Sequence, residues 1–260
     1  MLEKLTDSDL TLDTGTTVIR PLKSVRDLGV HLDRELTMKT HIWKVVSCCY
    51  HLLRRIRHVR RLVWQDVAQQ LVLAFILSRL DYCNSLLSRL PRSTIQPQQR
   101  VMNAAARVIM NLSLRDHVKP ALKQLHWQPI EQRITYKLCL FMHHIHTGQA
   151  PQYLSDCVSA VSTLSGRYRL RSTGSADYVL PRTRTRFGER CFSYCGPAAW
   201  NTLPSDLQDI TDTDIFRKRL KSVLFDHAYH WLLLALLDVS YSGALQISRW
   251  LIDWLRLITV

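Results

Sequence analysis

Between Leu36 and Gln65 the chain carries Lys39, Lys44, Arg54, Arg55, Arg57, Arg60 and Arg61 and no Asp or Glu. Guanidinium forks and ammonium groups unopposed by carboxylates attract phosphate. A charge run is most simply a solvated face, but a merely solvated helix interleaves its signs, so the missing acids favour a phosphate-binding surface. A second set lies between Gly166 and Arg190, where Arg167, Arg169, Arg171, Arg182, Arg184, Arg186 and Arg190 alternate with Tyr168, Tyr178 and Phe187. Arginines that pair with phosphates and rings that stack on unpaired bases suit single-stranded or structured RNA; a basic hairpin exposed to water would have the same composition.

Other reactive types are more weakly arranged. His143 and His146 stand three apart in MHHIH, a helical spacing that suits a metal, but no Cys or carboxylate is placed around them in sequence. Cys191 and Cys195 are four apart without the second close Cys or His pair that a zinc site needs. Asp7 and Asp9 sit in a polar segment and read as solvated. No metal and no cofactor is expected.

The elements that must position these groups are mostly helices. Residues up to Pro21 read as a short strand or extended lead-in around Val18, and Val25 to Asp33 as a strand with Gly29 where the backbone bends. Ile42, Val45, Cys49, Leu52, Ile56, Val59 and Val63 then fall on one helical seam with the cations flanking it. A second helix spans Asp66 to Leu80, with LVLAFIL apolar on all sides and so buried; seven such residues are too few to cross a bilayer. A third opens at Pro97, with Val101, Ala105 and Val108 inward and Arg100, Asn103 and Arg107 outward. Asp116 suits the cap of a helix with Val118, Leu122 and Leu125, and Pro129 starts another, with Ile130, Ile134, Leu138, Phe141 and Ile145, closed by Gly148. After Pro151, glycines and prolines punctuate short apolar pieces such as DYVLP and RCFSYC, which read as strands, turns and a hairpin. Helix returns over Asp214 to Phe225, with Ile215, Leu220 and Leu224 inward and Arg217, Lys218, Arg219 and Lys221 outward.

The fold class expected is mainly α: a helical bundle, thumb-like by the resemblance below, followed by a small β-hairpin and α region. At 260 residues and 47% hydrophobic, the chain is able to bury a real core. A net charge of +14 favours polyanionic partners. Seven scattered cysteines do not form a secreted disulfide framework, and MLEKLTDSDL offers no secretory signal, so an intracellular protein, cytoplasmic or nuclear and not secreted, is expected.

A series of strings carries a resemblance: RDLGVHLD, SRLDYCNSLL, MNAAARVIM, LHWQPIEQRITYKL, GQAPQYL, LRST, LPRTRTRFGERCFSY, AAWNTLPSDL and FRKRLKSVLF, in this order from Val25 to Phe225. Together they resemble the region downstream of the palm in LINE-type (non-LTR, Jockey-superfamily-like) retrotransposon reverse transcriptases. The ordered series carries the likeness rather than any single string. The resemblance implies a division into residues 1–35, the end of a palm with a primer-grip-like strand; 36–150, a helical thumb; 151–227, a carboxy-terminal α+β region; and 228–260, an apolar tail. By kinship Arg26, Leu28 and Gly29 would lie near a primer terminus and the cationic helix along an RNA–DNA hybrid.

The departure from that family is chemical. Its polymerases hold two metal ions with palm aspartates, among them an adjacent pair, and this sequence has no Asp-Asp dipeptide. Nor is the family's endonuclease found. The expectation is therefore a non-catalytic fragment of an RNA-directed DNA polymerase that binds RNA or RNA–DNA hybrid through phosphates. A helical protein-interaction module, docking through the seam or the Trp-rich tail, and a decayed element copy are the alternatives. The tail, WLLLALLDVSYSGALQISRWLIDWLRLITV, is interrupted by Asp238, Arg249, Asp253 and Arg256, so no transmembrane segment is expected; it suits a protein partner, a membrane interface or a fortuitous extension.

Overall fold

The computed structural model describes residues 11–20, 22–163 and 176–241, and the chain divides into two compact units. One comprises Met1–Val118 with Thr185–Arg190, the other Lys119–Arg184 with Cys191–Val260. The division falls after Val118, inside the 36–150 span. The fold is mainly helical. Asp7, Asp9, Pro21, Arg167, Tyr168, Arg169, Arg171, Trp250 and Trp254 lie outside the described residues.

The first unit begins with two small antiparallel ribbons. β1 (Leu12–Asp13) pairs with β2 (Val18–Ile19), closed by Thr14 N–H donating to Thr17 O at 3.1 Å. β3 (Ser24–Asp27) pairs with β4 (Val30–Asp33), Asp27 opposite Val30. The single strand expected over Val25 to Asp33 is thus a hairpin. Leu28 and Gly29 form its two-residue turn, with φ of 43° and 82°. Two successive left-handed residues match the twist of the flanking strands, and only the second is glycine.

α1 (Lys39–Val59) carries the predicted seam through Ile42, Cys49 and Ile56, joined by Leu53. It ends four residues before Val63, and Val59 is exposed. α2 (Gln65–Val72) continues through a π-helical turn, Leu73–Leu77, into α3 (Ser78–Asp81). The expectation that LVLAFIL is buried on all sides is not met: Val72, Ile76 and Leu77 face inward while Leu73 and Phe75 are exposed. A 3-10 turn, Asn84–Leu87, leads to α4 (Arg92–Met110). This helix opens after Pro91, not at Pro97, which sits inside it. Its buried face is Val101, Met102, Ala105, Ala106 and Ile109, packed against α1; Val108 is only partly covered.

The second unit holds α5 (Lys119–Gln124), α6 (Ile130–His146), α7 (Gln152–Ser155), α8 (Phe192–Trp200), α9 (Ser205–Gln208) and α10 (Thr213–Tyr241). Asp116 does not cap α5; its carboxylate accepts from Ser113 N–H at 2.6 Å. The hairpin expected after Pro151 is absent among the described residues, where β structure there reduces to one bridge, Ala160 with Tyr178. RCFSYC belongs largely to α8. Gly196 is buried within that helix because a Cβ would come 2.9 Å from Met142 Sδ on α6, so its smallness serves close packing. Asn201 replaces a second strand: it accepts from Tyr178 N–H at 3.0 Å and donates through Nδ2 to Tyr178 O at 2.8 Å. The core gathers Met142, Trp200, Leu207, Phe216, Leu220 and Leu224. Ile215 is exposed and Phe216 takes its inward place; Arg217, Lys218, Arg219 and Lys221 face solvent as expected. α10 runs past Ala228 to Tyr241.

Candidate nucleic-acid interface

α1 forms a wall of two grooves in the first unit. The groove at its amino-terminal end, about 630 Å³, lies among the β3–β4 hairpin, α1 and α3 and is lined by Arg26, Gly29, His31, Lys44, Arg79 and Tyr82 with other neighbours. The hairpin is held from a distance: Tyr82 Oη donates to Leu28 O at 2.6 Å. Contact with the Cys83 side chain, first, pushes the Tyr82 phenol above its ordinary range. Lys44 Nζ donates to His31 Nδ1 at 3.2 Å, and His41 Nδ1 accepts from His31 N–H at 3.4 Å. Both imidazoles are held below the usual histidine range, chiefly by lost hydration. The positive charges of Lys44 and Arg26 add to the effect at His31, and His31 adds to it at His41. Both rings are therefore neutral at neutral pH, while Arg26, Lys44 and Arg79 carry the groove's charge.

The groove at the other end, about 650 Å³, lies between the last turns of α1 and α4. Tyr50, Arg54, Arg57, His58, Arg60, Arg61 and Arg107 contribute to its lining, which contains no Asp or Glu. Arg54, Arg57 and Arg61 are exposed and form no ion pair among the described residues. Helical spacing explains the alignment: residues 50, 54, 57 and 61 recur every three or four positions on one face. Arg60 is different, because its guanidinium donates to Ile109 O and Val63 O. Arg107 donates from Nη2 to Asp116 O at 3.3 Å, and its Nε is buried without a hydrogen-bond partner.

The structure thus gathers Arg26, Gly29 and Lys44 around one groove and Arg54, Arg57, Arg60 and Arg61 around the other. Lys39 and Arg55 are exposed on α1 but line neither. Arg182, Arg184 and Arg186 are exposed on the segment after Leu180. Of the interleaved rings, Phe187 is exposed with the Arg190 guanidinium 5.5 Å from its centre, whereas Tyr178 is buried in the core of the second unit and cannot stack on a base. Sequence periodicity missed Arg79 and Tyr82, and it placed Arg107 outward on its helix without joining it to this surface; each is brought to α1 from a distant helix or turn. It also missed Trp43 and Tyr50, although both lie three or four residues from the cations it singled out.

His143 is fully buried; its Nε2 meets Ile210 O at 3.1 Å and its ring lies 4.0 Å from that of Phe216. It belongs to the core. Cys195 is buried and Cys191 exposed, and no group of three or more His, Cys, Asp or Glu gathers in metal-holding geometry among the described residues. No helix among the described residues is long and apolar enough to cross a membrane. No protein-family model, curated protein or solved structure matches the chain.

Proposed function

We propose that this chain binds RNA or an RNA–DNA hybrid through sequence-independent phosphate contacts along α1, as a thumb-bearing, non-catalytic part of a LINE-type reverse transcriptase. One observation carries the binding: a groove walled by Arg54, Arg57, Arg61 and Arg107 without any acidic lining residue. Cations that have no carboxylate partner are available to a phosphate backbone, and releasing the counterions of that backbone drives association. The kinship rests on the ordered strings from Val25 to Phe225 and is supported by the Leu28–Gly29 hairpin lying beside the amino-terminal cationic groove. A thumb grips and a palm polymerises. Neither groove is lined by Asp or Glu that could hold magnesium, so the proposed task of these grooves is holding.

The test is binding of the purified chain to homopolymer RNA and to an RNA–DNA hybrid across a salt series. Affinity should fall by orders of magnitude between low and physiological salt. A flat salt response, or no binding, defeats the proposal; primer extension by the same protein would defeat the non-catalytic part alone.

A further inference from the structure

We infer that the exposed face of α1 takes unpaired bases, so that the preferred ligand of this surface is a single-stranded polynucleotide segment rather than a continuous duplex. The inference rests on the phosphate-binding reading above and specifies its substrate class. Trp43 is 69% exposed and Tyr50 38% exposed, on a helix with ample apolar core elsewhere to hold such rings. They stand seven residues apart and therefore on one face. Together with Arg54 they line a shallow depression of about 490 Å³, and Tyr50 and Arg54 also line the arginine groove beyond it. The two hollows therefore share a border.

The resulting order along one face is ring, ring, guanidinium, guanidinium: Trp43, Tyr50, Arg54, Arg57. It covers roughly 21 Å of helix at about 1.5 Å per residue. That length matches about six stacked nucleotides at about 3.4 Å each. Phosphate pairing needs only the cations, and a duplex keeps its internal base faces stacked on one another, so that a side-chain ring reaches them only at the cost of unstacking a step. Flat rings in water beside unpaired arginines are the combination that binds a strand whose base faces are open, because stacking adds to the charge attraction and every base offers a π-face. Charge complementarity selects a polyanion over an apolar protein helix for this face.

The experiment compares three ligands by fluorescence anisotropy: an oligothymidylate of about twelve nucleotides, its fully abasic counterpart, and a blunt RNA–DNA hybrid of equal length. The base-bearing strand should bind at least about fivefold more tightly than the abasic one, the effect of one stacked base. Trp43→Ala with Tyr50→Ala should erase that difference, leaving abasic binding unchanged, and Trp43→Phe should restore part of it. Circular dichroism should show all variants folded, since the truncated rings face solvent. Equal affinity for base-bearing and abasic strands, or a preference for the hybrid, overturns this inference and leaves phosphate binding standing. Failure of every ligand to bind overturns both.

Discussion

Arg60 caps a helix that begins 32 residues further along: its Nη2 donates to Ile109 O at 2.9 Å and its Nε to the same oxygen at 3.3 Å. The carbonyls of a helix's last turn have no partner within the helix, and a cation there also meets the negative end of the dipole. Arg60→Ala should therefore destabilise the first unit by about 1.5–3 kcal/mol, the range for hydrogen bonds to a charged group. Chemical denaturation would show it. Arg61→Ala, one residue on and exposed, should leave stability within about 0.5 kcal/mol. Equal effects of the two would remove the capping role.

Arg54, Arg57 and Arg61 should behave in the opposite way. Their side chains are exposed and hold nothing in place, so replacing all three with Gln should spare the melting temperature and weaken nucleic-acid binding. Each phosphate contact contributes about 0.7 to 0.9 to the slope of log affinity against log salt. Losing three should flatten that slope by about 2 to 3. A slope unchanged within error would mean that these arginines do not meet phosphate.

The cations of α1 were visible in the sequence because the helix has both a clear apolar period and a complete lack of acids. What closes the grooves around it was not. Tyr82 reaches Leu28 across 54 residues and Arg107 arrives from α4, and no local pattern encodes such pairings. Local signals also misled where tertiary packing overrode them. Pro97 looked like a helix start, yet α4 runs through it. Gly196 and Pro197 looked like turn punctuation, but the first is the bare spot that lets α8 approach Met142 and both lie inside the helix. The short apolar piece DYVLP reads as a strand, but its Tyr178 pairs with the side chain of Asn201 rather than with a long partner strand.

The Leu28–Gly29 turn makes a prediction of its own. Leu28 is 83% exposed at φ 43°, so it pays a left-handed backbone penalty with little burial in return. Leu28→Asn should stabilise the first unit by about 1 kcal/mol, since Asn-Gly suits this turn and the carbonyl that Tyr82 uses is retained. Tyr82→Phe should cost about 1 kcal/mol by removing that hydrogen bond. Gly29→Ala should cost about 1–2 kcal/mol, because its φ of 82° is poorly suited to a side chain and the new Cβ would lie 3.4 Å from the Tyr82 ring. Urea titrations of the three variants would separate these signs. A destabilised Leu28→Asn would show that the leucine side chain has a packing role.

His143 predicts acid sensitivity in the second unit. Burial, followed by the nearby charges of His144, His146 and Arg217, lowers its pKa to about 4. The hydrogen bonds agree: neutral His143 donates from Nε2 to Ile210 O, and its buried Nδ1 has no partner to receive a second proton. An unfolded chain would protonate this ring near its ordinary value of about 6.5. Between about 6.5 and 4 the unfolded state therefore binds more protons, so stability is complete above that window and declines as pH falls through it. The loss is on the order of 3 kcal/mol by pH 4. Thermal melts from neutral to acid pH should show this fall, and His143→Phe, which keeps a ring against Phe216, should flatten it while lowering stability at neutral pH by about 1–3 kcal/mol through the unpaired Ile210 carbonyl. An identical pH profile in the variant would assign the acid sensitivity to another group.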